Sequence, residues 1–321
     1  MNAYGLATHI WNNNIKSVLL LAGFPVLLLL LLFGLVAFYV GLVEEVATLD
    51  DGLALALSHM ARVWPFALVG AGLWFLIAWV FHQKLIEASS GAKGVSRKEA
   101  PEIYNLLENL AIAGGMAMPK LAIIDTSALN AFASGVGEKS YTVTLTRGLV
   151  ERLDRDELEA VIAHELTHIR NRDVRLLIIA VIFVGIFSFF GEMLWRSAFD
   201  RGVRIGGHTR SRKGDSRGGG MLILIAIAAV IIAYLLAIVV RFVLSQKREF
   251  LADAGSVELT KNPDAMVRAL RKISTNSDVD APADLRQMMV HNKTPFAGIF
   301  ATHPPIEKRI KALQVYAGAQ G

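Results

Sequence analysis

The chain has 321 residues, 54% of them hydrophobic and 19% charged, with a mean hydropathy of +0.45, an apolar content that excludes a purely soluble or disordered protein. Lys and Arg number 33 against 28 Asp and Glu, a net charge of +5 that is small and gathered beside apolar runs, which argues against a nucleic-acid partner. Cysteine is absent, which excludes disulfides, thiolate metal sites and cysteine nucleophiles, so any metal must be held by His and carboxylate.

Val18 to Val43 and Val63 to Phe81 carry no charge and are long enough to cross a bilayer, with Trp64 and Trp79 near the ends of the second as interfacial anchors. The first run is too long for the apolar part of a signal peptide and no small-residue cleavage site follows it, so it is expected to stay in the mature protein. Leu176 to Trp195, interrupted by Glu192, and Met221 to Val240 are two further runs, read as spans or as a pair of buried helices.

The chain then divides into an N-terminal hairpin of two spans (1–82), a first polar part (83–175), a second apolar pair (176–240) and a second polar part (241–321). The loop 44–62 has Glu44, Glu45, Asp50 and Asp51 against Arg62 alone, whereas Lys84, Lys93, Arg97 and Lys98 follow the second span. Basic residues stay on the cytoplasmic side, so both polar parts are expected in the cytoplasm. The seven basic residues between the third and fourth runs, Arg196 to Arg217, point the other way and leave open a second pair that is re-entrant.

The polar parts read as mixed α and β, giving a mainly helical α+β protein with about four apolar helices and a small sheet. Ile103, Leu106, Leu107 and Leu110 recur at helical spacing after Pro101, and Gly114-Gly115 ends that helix. Leu121 to Ile124 and Tyr141 to Leu145 read as strands. From about Asp156, the apolar residues Leu158, Val161, Ile162, Leu166 and Ile169 mark an amphipathic helix. Pro304-Pro305 opens a last helix with Ile306, Ile310 and Leu313. Ser274 to Asp284 reads as a loop.

His164-Glu165-Leu166-Thr167-His168 fits H-E-x-x-H within the amphipathic helix. Four residues advance a helix slightly more than one turn, so both imidazoles leave one face and can bind one tetrahedral ion, while Glu165 is placed to take a proton from water there. A catalytic zinc needs a third protein ligand. The metzincin continuation would need Gly and His where Asn171 and Val174 stand, so a distant helix must supply it. Arg248-Glu249-Phe250-Leu251-Ala252-Asp253 follows the fourth apolar run with its acids four apart on one helix face, a pattern that a solvated surface also produces. Asn171 and Asp173 could hold an imidazole or cap the helix.

These residues resemble the membrane-bound zinc endopeptidases of the HtpX heat-shock protease type, relatives of the prenyl-CaaX endopeptidases. The resemblance rests on the N-terminal apolar pair, Asn130 to Gly135, His164 to His168, Glu249 to Asp253, and Thr302-His303-Pro304-Pro305 with Arg309, and it covers nearly the whole chain. It implies a zincin-like, gluzincin domain with one zinc per subunit on His164, His168 and Glu249, with Asp253 behind them and Glu165 catalytic. It further implies that His303 steadies the oxyanion, that Arg309 is a structural or electrostatic neighbour, and that Asn130, Ala131 and Phe132 bind substrate along a sheet edge.

The activity implied is hydrolysis of misfolded or membrane proteins in quality control and stress response, at a bacterial inner membrane. The bilayer and the substrate proteins are the partners. Two other readings stand beside it: an intramembrane zinc protease, disfavoured by Arg155, Arg170, Arg172 and Arg175 around the motif, and a non-enzymatic metal-binding scaffold or transporter, disfavoured because Glu192 is the one charge within the four runs.

Overall fold

The computed structural model describes residues 6–179, 217–243, 247–275 and 304–318. Its two compact units share the chain unevenly, one formed by residues 18–77 and 182–241, the other by 1–17, 78–181 and 242–321.

The first unit is helical. Helix α1 (Leu6–Val43) and helix α2 (Leu49–Ser90) contain the first two expected spans and are long and apolar enough to cross a membrane. A third helix of this unit, α6 (Arg217–Val243), contains the expected run Met221 to Val240, with Gly219–Ala233 as its apolar stretch; the run from Leu176 is described only as far as Ile179. Among the described residues two helices are thus long and apolar enough to cross a membrane and α6 carries a shorter apolar stretch, while most of the expected third run lies outside them. Small residues bring α1 and α6 together: a Cβ on Gly34 would lie 2.8 Å from Val230 Cγ2, and one on Gly41 would lie 2.7 Å from Ile223 Cγ1. Ala37, Val40, Val46, Ala56, Leu222 and Ala226 form the core of that contact. On α2, by contrast, Trp64, Phe66, Val69, Leu73 and Trp74 are exposed, a surface suited to lipid.

The expected loop 44–62 is helical from Leu49 onward. Thr48 caps the helix: its hydroxyl donates to Asp51 Oδ2 at 2.6 Å and accepts from the Asp51 N–H at 3.2 Å. The acids at 50 and 51 thus belong to a first helical turn, where the helix dipole favours negative charge.

The second unit holds a four-stranded sheet of β1 (Lys93–Gly94), β2 (Lys120–Ile124), β3 (Ala131–Ser134) and β4 (Thr142–Thr146), in the order β1-β2-β4-β3. β2 runs parallel to β4, and β3 runs antiparallel to β4 at one edge of the sheet. β4 is buried throughout, with Thr142 and Thr144 as covered as Val143 and Leu145, because helices pack against it. The helices are α3 (Pro101–Ala113), α4 (Arg147–Arg152), α5 (Arg155–Arg170), α7 (Lys247–Thr260), α8 (Pro263–Ile273) and α9 (Ile306–Gly318), and residues 173–179 are helical as well.

Helix α5 is central. Its apolar face, Leu158, Val161, Ile162, Leu166 and Ile169, is buried as its periodicity predicts, and α3, β3, α7 and α8 surround it. Asp154 and Glu157 start it with a reciprocal capping box, each side chain accepting the other's backbone N–H at 2.9 Å. Glu157 is itself buried and is held from α8 by Lys272 Nζ at 2.5 Å and by Arg268 Nε at 3.4 Å. Helix α8, not among the elements expected above, begins at Asn262-Pro263; the Asn262 side chain accepts from the Ala265 N–H at 3.1 Å.

The capping box and the α8 cations together place the start of α5, so Glu157→Ala should destabilise the protein by about 1–2 kcal/mol. The measurement is thermal unfolding of detergent-solubilised protein, and an unchanged midpoint would show that α5 does not depend on this clamp.

Candidate metal centre

Two residue pairs bring α5 and α7 close together. A Cβ on Gly255 would lie 2.4 Å from Thr167 Cγ2, closer than any side chain tolerates, so glycine is what allows the helices to meet there. The Ser256 hydroxyl donates to the Ala160 carbonyl at 2.6 Å on the same face. Glu249 and Asp253 lie six and two residues before Gly255 on α7 and are carried by this contact to the face of α5 that bears His164 and His168.

The imidazoles meet edge to face with Nε2 atoms 3.2 Å apart. Glu249 closes the group, with Oε2 3.7 Å from His164 Nε2 and Oε1 3.6 Å from His168 Nε2. Donors about 2.0–2.2 Å from a tetrahedral ion lie about 3.3–3.6 Å from one another. The observed separations match that geometry, so these three side chains could hold one metal ion. His164 and Glu249 are almost wholly buried whereas His168 keeps 12% of its side-chain surface, so the group opens to solvent on the His168 side.

Each outer nitrogen faces a carboxylate: Asp253 Oδ1 lies 3.0 Å from His164 Nδ1, and Asp173 Oδ2 lies 3.1 Å from His168 Nδ1. Both carboxylates favour a proton on Nδ1, which turns the lone pairs of both Nε2 atoms inward. The two openings left for Asn171 and Asp173 separate here. Asp173 faces an imidazole, and Asn171 is the C-cap residue of α5, its N–H bonded to the Thr167 carbonyl at 2.9 Å.

Arg309, on α9, is fully buried behind the group. Its Nε and Nη2 donate to Asp253 Oδ2 and Oδ1 at 2.8 and 2.6 Å, and its Nη1 lies 3.6 Å from Glu249 Oε2. Burial alone would raise the Asp253 carboxyl, but Arg309 beside it holds it below the usual range. Burial pushes the Glu165 carboxyl up, against the pull of the two imidazoles and a hydrogen bond from the Ala133 N–H. Burial would lower His164, yet Asp253 and Glu249 raise it to about 9.

Arg309 is surrounded by Asp253, Glu249 and Glu165, three carboxyl groups to one guanidinium. With Asp173 also buried beside His168, carboxyl groups outnumber the guanidinium, an excess that a divalent cation would offset.

The sequence-derived residues are thus mostly assembled: His164, Glu165, His168, Glu249 and Asp253 lie together, and the Ala133 N–H ties the edge strand β3 to Glu165. Asn130, Ala131 and Phe132 are all buried, Asn130 just before β3 and the other two within it. His303 lies outside the described residues. Gly255 and the fork of Arg309 on Asp253 escaped sequence reading. A lone glycine inside a helical segment was the available signal for the first. The motif-bearing helix α5 lies in the unit that contains the sheet, and not among the long apolar helices.

The model of peptidase family M48 matches residues 97–317, which include this whole cluster. The chain is 42% identical over 330 aligned positions to a protein of Bacteroides fragilis named Protease HtpX homolog, covering 98% of this chain and 100% of that one. It is 36% identical over 259 positions to the Protease HtpX homolog of Streptococcus equi subsp. zooepidemicus, covering 78% and 84%. A solved structure of S. mikatae Ste24p overlays with a TM-score of 0.44 at 22% identity, covering 95% of this chain and 66% of that one.

Because Gly255 sets the approach of Glu249 to the imidazoles, Gly255→Val should force the helices apart at a cost of about 1–3 kcal/mol and lower metal occupancy. Elemental analysis of the purified variant reads this out, and full occupancy would show that some other contact positions Glu249.

Proposed function

The chain belongs to peptidase family M48, and on that premise we propose that it is a zinc endopeptidase of the bacterial cytoplasmic membrane, acting on misfolded or membrane proteins. Membership makes it a membrane-associated metallopeptidase. The observation that carries the finer reading is the group of two Nε2 atoms 3.2 Å apart with the Glu249 carboxylate 3.6–3.7 Å from them. Two imidazoles and one carboxylate are a catalytic zinc set, which leaves a position for water and substrate, and the partial exposure of His168 supports an opening on that side.

A zinc ion held there would supply Lewis acidity toward water and the scissile carbonyl. The protein's own residues do the rest. Glu165 accepts a proton from the attacking water and returns it to the leaving amine. Its burial raises its proton affinity, which suits the return, and the Ala133 N–H keeps its carboxylate oriented. The residue that steadies the oxyanion is proposed to be His303.

Substrate is proposed to bind as an extended strand along the outer edge of β3, through backbone hydrogen bonds that tolerate varied side chains. Two facts support this. β4 pairs with β3 on one side, and the Ala133 N–H reaches Glu165 on the other, so an added strand would run past the catalytic carboxylate. Ala131 and Phe132 are each 1% exposed, so this strand addition displaces whatever covers the edge. The uncovered apolar surface of α2 and the basic residues after it support membrane insertion with the sheet-containing unit in the cytoplasm.

Glu165→Gln keeps the shape of the side chain and the three metal-binding residues but removes the base. Zinc content should stay at one per chain while cleavage of an unfolded substrate such as casein falls at least about 100-fold. Cleavage at the wild-type rate would exclude the assigned role. Removing metal with a chelator should likewise abolish cleavage, and zinc should restore it; recovery with another divalent ion but not with zinc would change the identity of the metal.

A further inference from the structure

We propose that Arg309 is a positioning residue of the metal centre, orienting Asp253 and through it His164, so that affinity for the divalent cation depends on docking of the C-terminal helix α9. This rests on reading the cluster as a metal site.

The contact is a two-pronged one. Arg309 Nε and Nη2 engage Asp253 Oδ2 and Oδ1 at 2.8 and 2.6 Å, which fixes the plane of the carboxylate. Asp253 Oδ1, held in that plane, is the atom 3.0 Å from His164 Nδ1. Rotation of the carboxylate would break either the fork or the contact with the imidazole. The third guanidinium nitrogen, Nη1, faces Glu249 Oε2 at 3.6 Å, so one rigid planar group addresses both the ligating carboxylate and the carboxylate behind a ligating imidazole. A lysine ammonium would supply the charge without the fork.

Burial decides between two roles for this cation. Arg309 has no exposed surface, its fork is committed to Asp253 and its Nη2 also lies 3.5 Å from His164 Nε2, so it sits against the ligating residues and away from the solvent-facing His168 side. It acts through the residues it holds. Ile306, Ile310 and Leu313, spaced as one helix face, are buried beside it, and α9 packs on α7 and α8. That apolar face brings the guanidinium to the centre. Docking and metal binding therefore favour each other, and by linkage the effect is the same in both directions.

The test is zinc affinity, by competition with a chromogenic chelator, for the full chain in detergent as wild type, R309Q, R309K, D253N and the D253N/R309Q double variant. R309Q should bind zinc about 10- to 100-fold more weakly, with R309K in between. The double variant should be no worse than the poorer single one, because the two residues act in series. Lys272→Ala, which loosens the clamp on α5, should lower the unfolding midpoint and leave zinc affinity unchanged.

Wild-type affinity in R309Q, losses that multiply in the double variant, or an R309Q that behaves like Lys272→Ala would each overturn the proposal. If R309Q does not fold, R309K decides it: undiminished affinity there refutes the role of the fork. Failure of the wild type to bind zinc would instead overturn the metal-site reading itself.

Discussion

A buried excess of negative charge is the constraint around which the sheet-containing unit is built. Asp253, Glu249 and Glu165 are each about 2% exposed and gather round a single guanidinium. An ionised group without a partner in such a place costs several kcal/mol. The arrangement is stable only with a further source of positive charge, which a metal provides and which, without metal, protonation of His164 and Glu165 provides in part. Folding, protonation and metal binding are therefore one coupled equilibrium at this site.

The same constraint explains which parts of the protein were legible in its sequence. The apolar face of α5 follows an ordinary helical period, and H-E-x-x-H states its own geometry because both imidazoles come from one helix. The capping box at Asp154 and Glu157 was also open to reading. Glu249 and Asp253 were ambiguous: two acids four apart describe a solvated surface as well as a ligand pair, and what distinguishes them is burial, which depends on the approach of another helix. That approach is set by the missing side chain of Gly255, a signal carried by an absence. Helix α8 carries an ordinary signal, Met266, Val267, Leu270 and Ile273 at helical spacing behind Asn262-Pro263; what the sequence does not show is that its Lys272 and Arg268 reach Glu157, far away along the chain.

Length was legible in the apolar helices, but their extent was not. Sequence hydropathy places the second span at Val63 to Phe81, yet α2 starts at Leu49 and ends at Ser90. Hydropathy measures only the part suited to lipid. The Thr48 cap and the helical spacing of Leu53, Ala56 and Leu57 extend the helix at one end into sequence that Asp50 and Asp51 make too polar to read as a span. The contact of α1 with α6 depends on glycines that let backbones approach, and these appear to a hydropathy scale only as weakly apolar positions.

The order of the parts along the chain carries its own consequence. Two of the three side chains that could hold a metal lie on α5, before the stretch that includes α6, and the third lies on α7 after it; Arg309 comes later still. Two imidazoles four residues apart have only modest affinity for a divalent ion, and neither the charge balance nor the third donor exists until α7 has packed against Thr167. The placement of the donors thus makes the three-donor cluster a tertiary feature, complete only where α7 packs on α5 through the gap that Gly255 leaves.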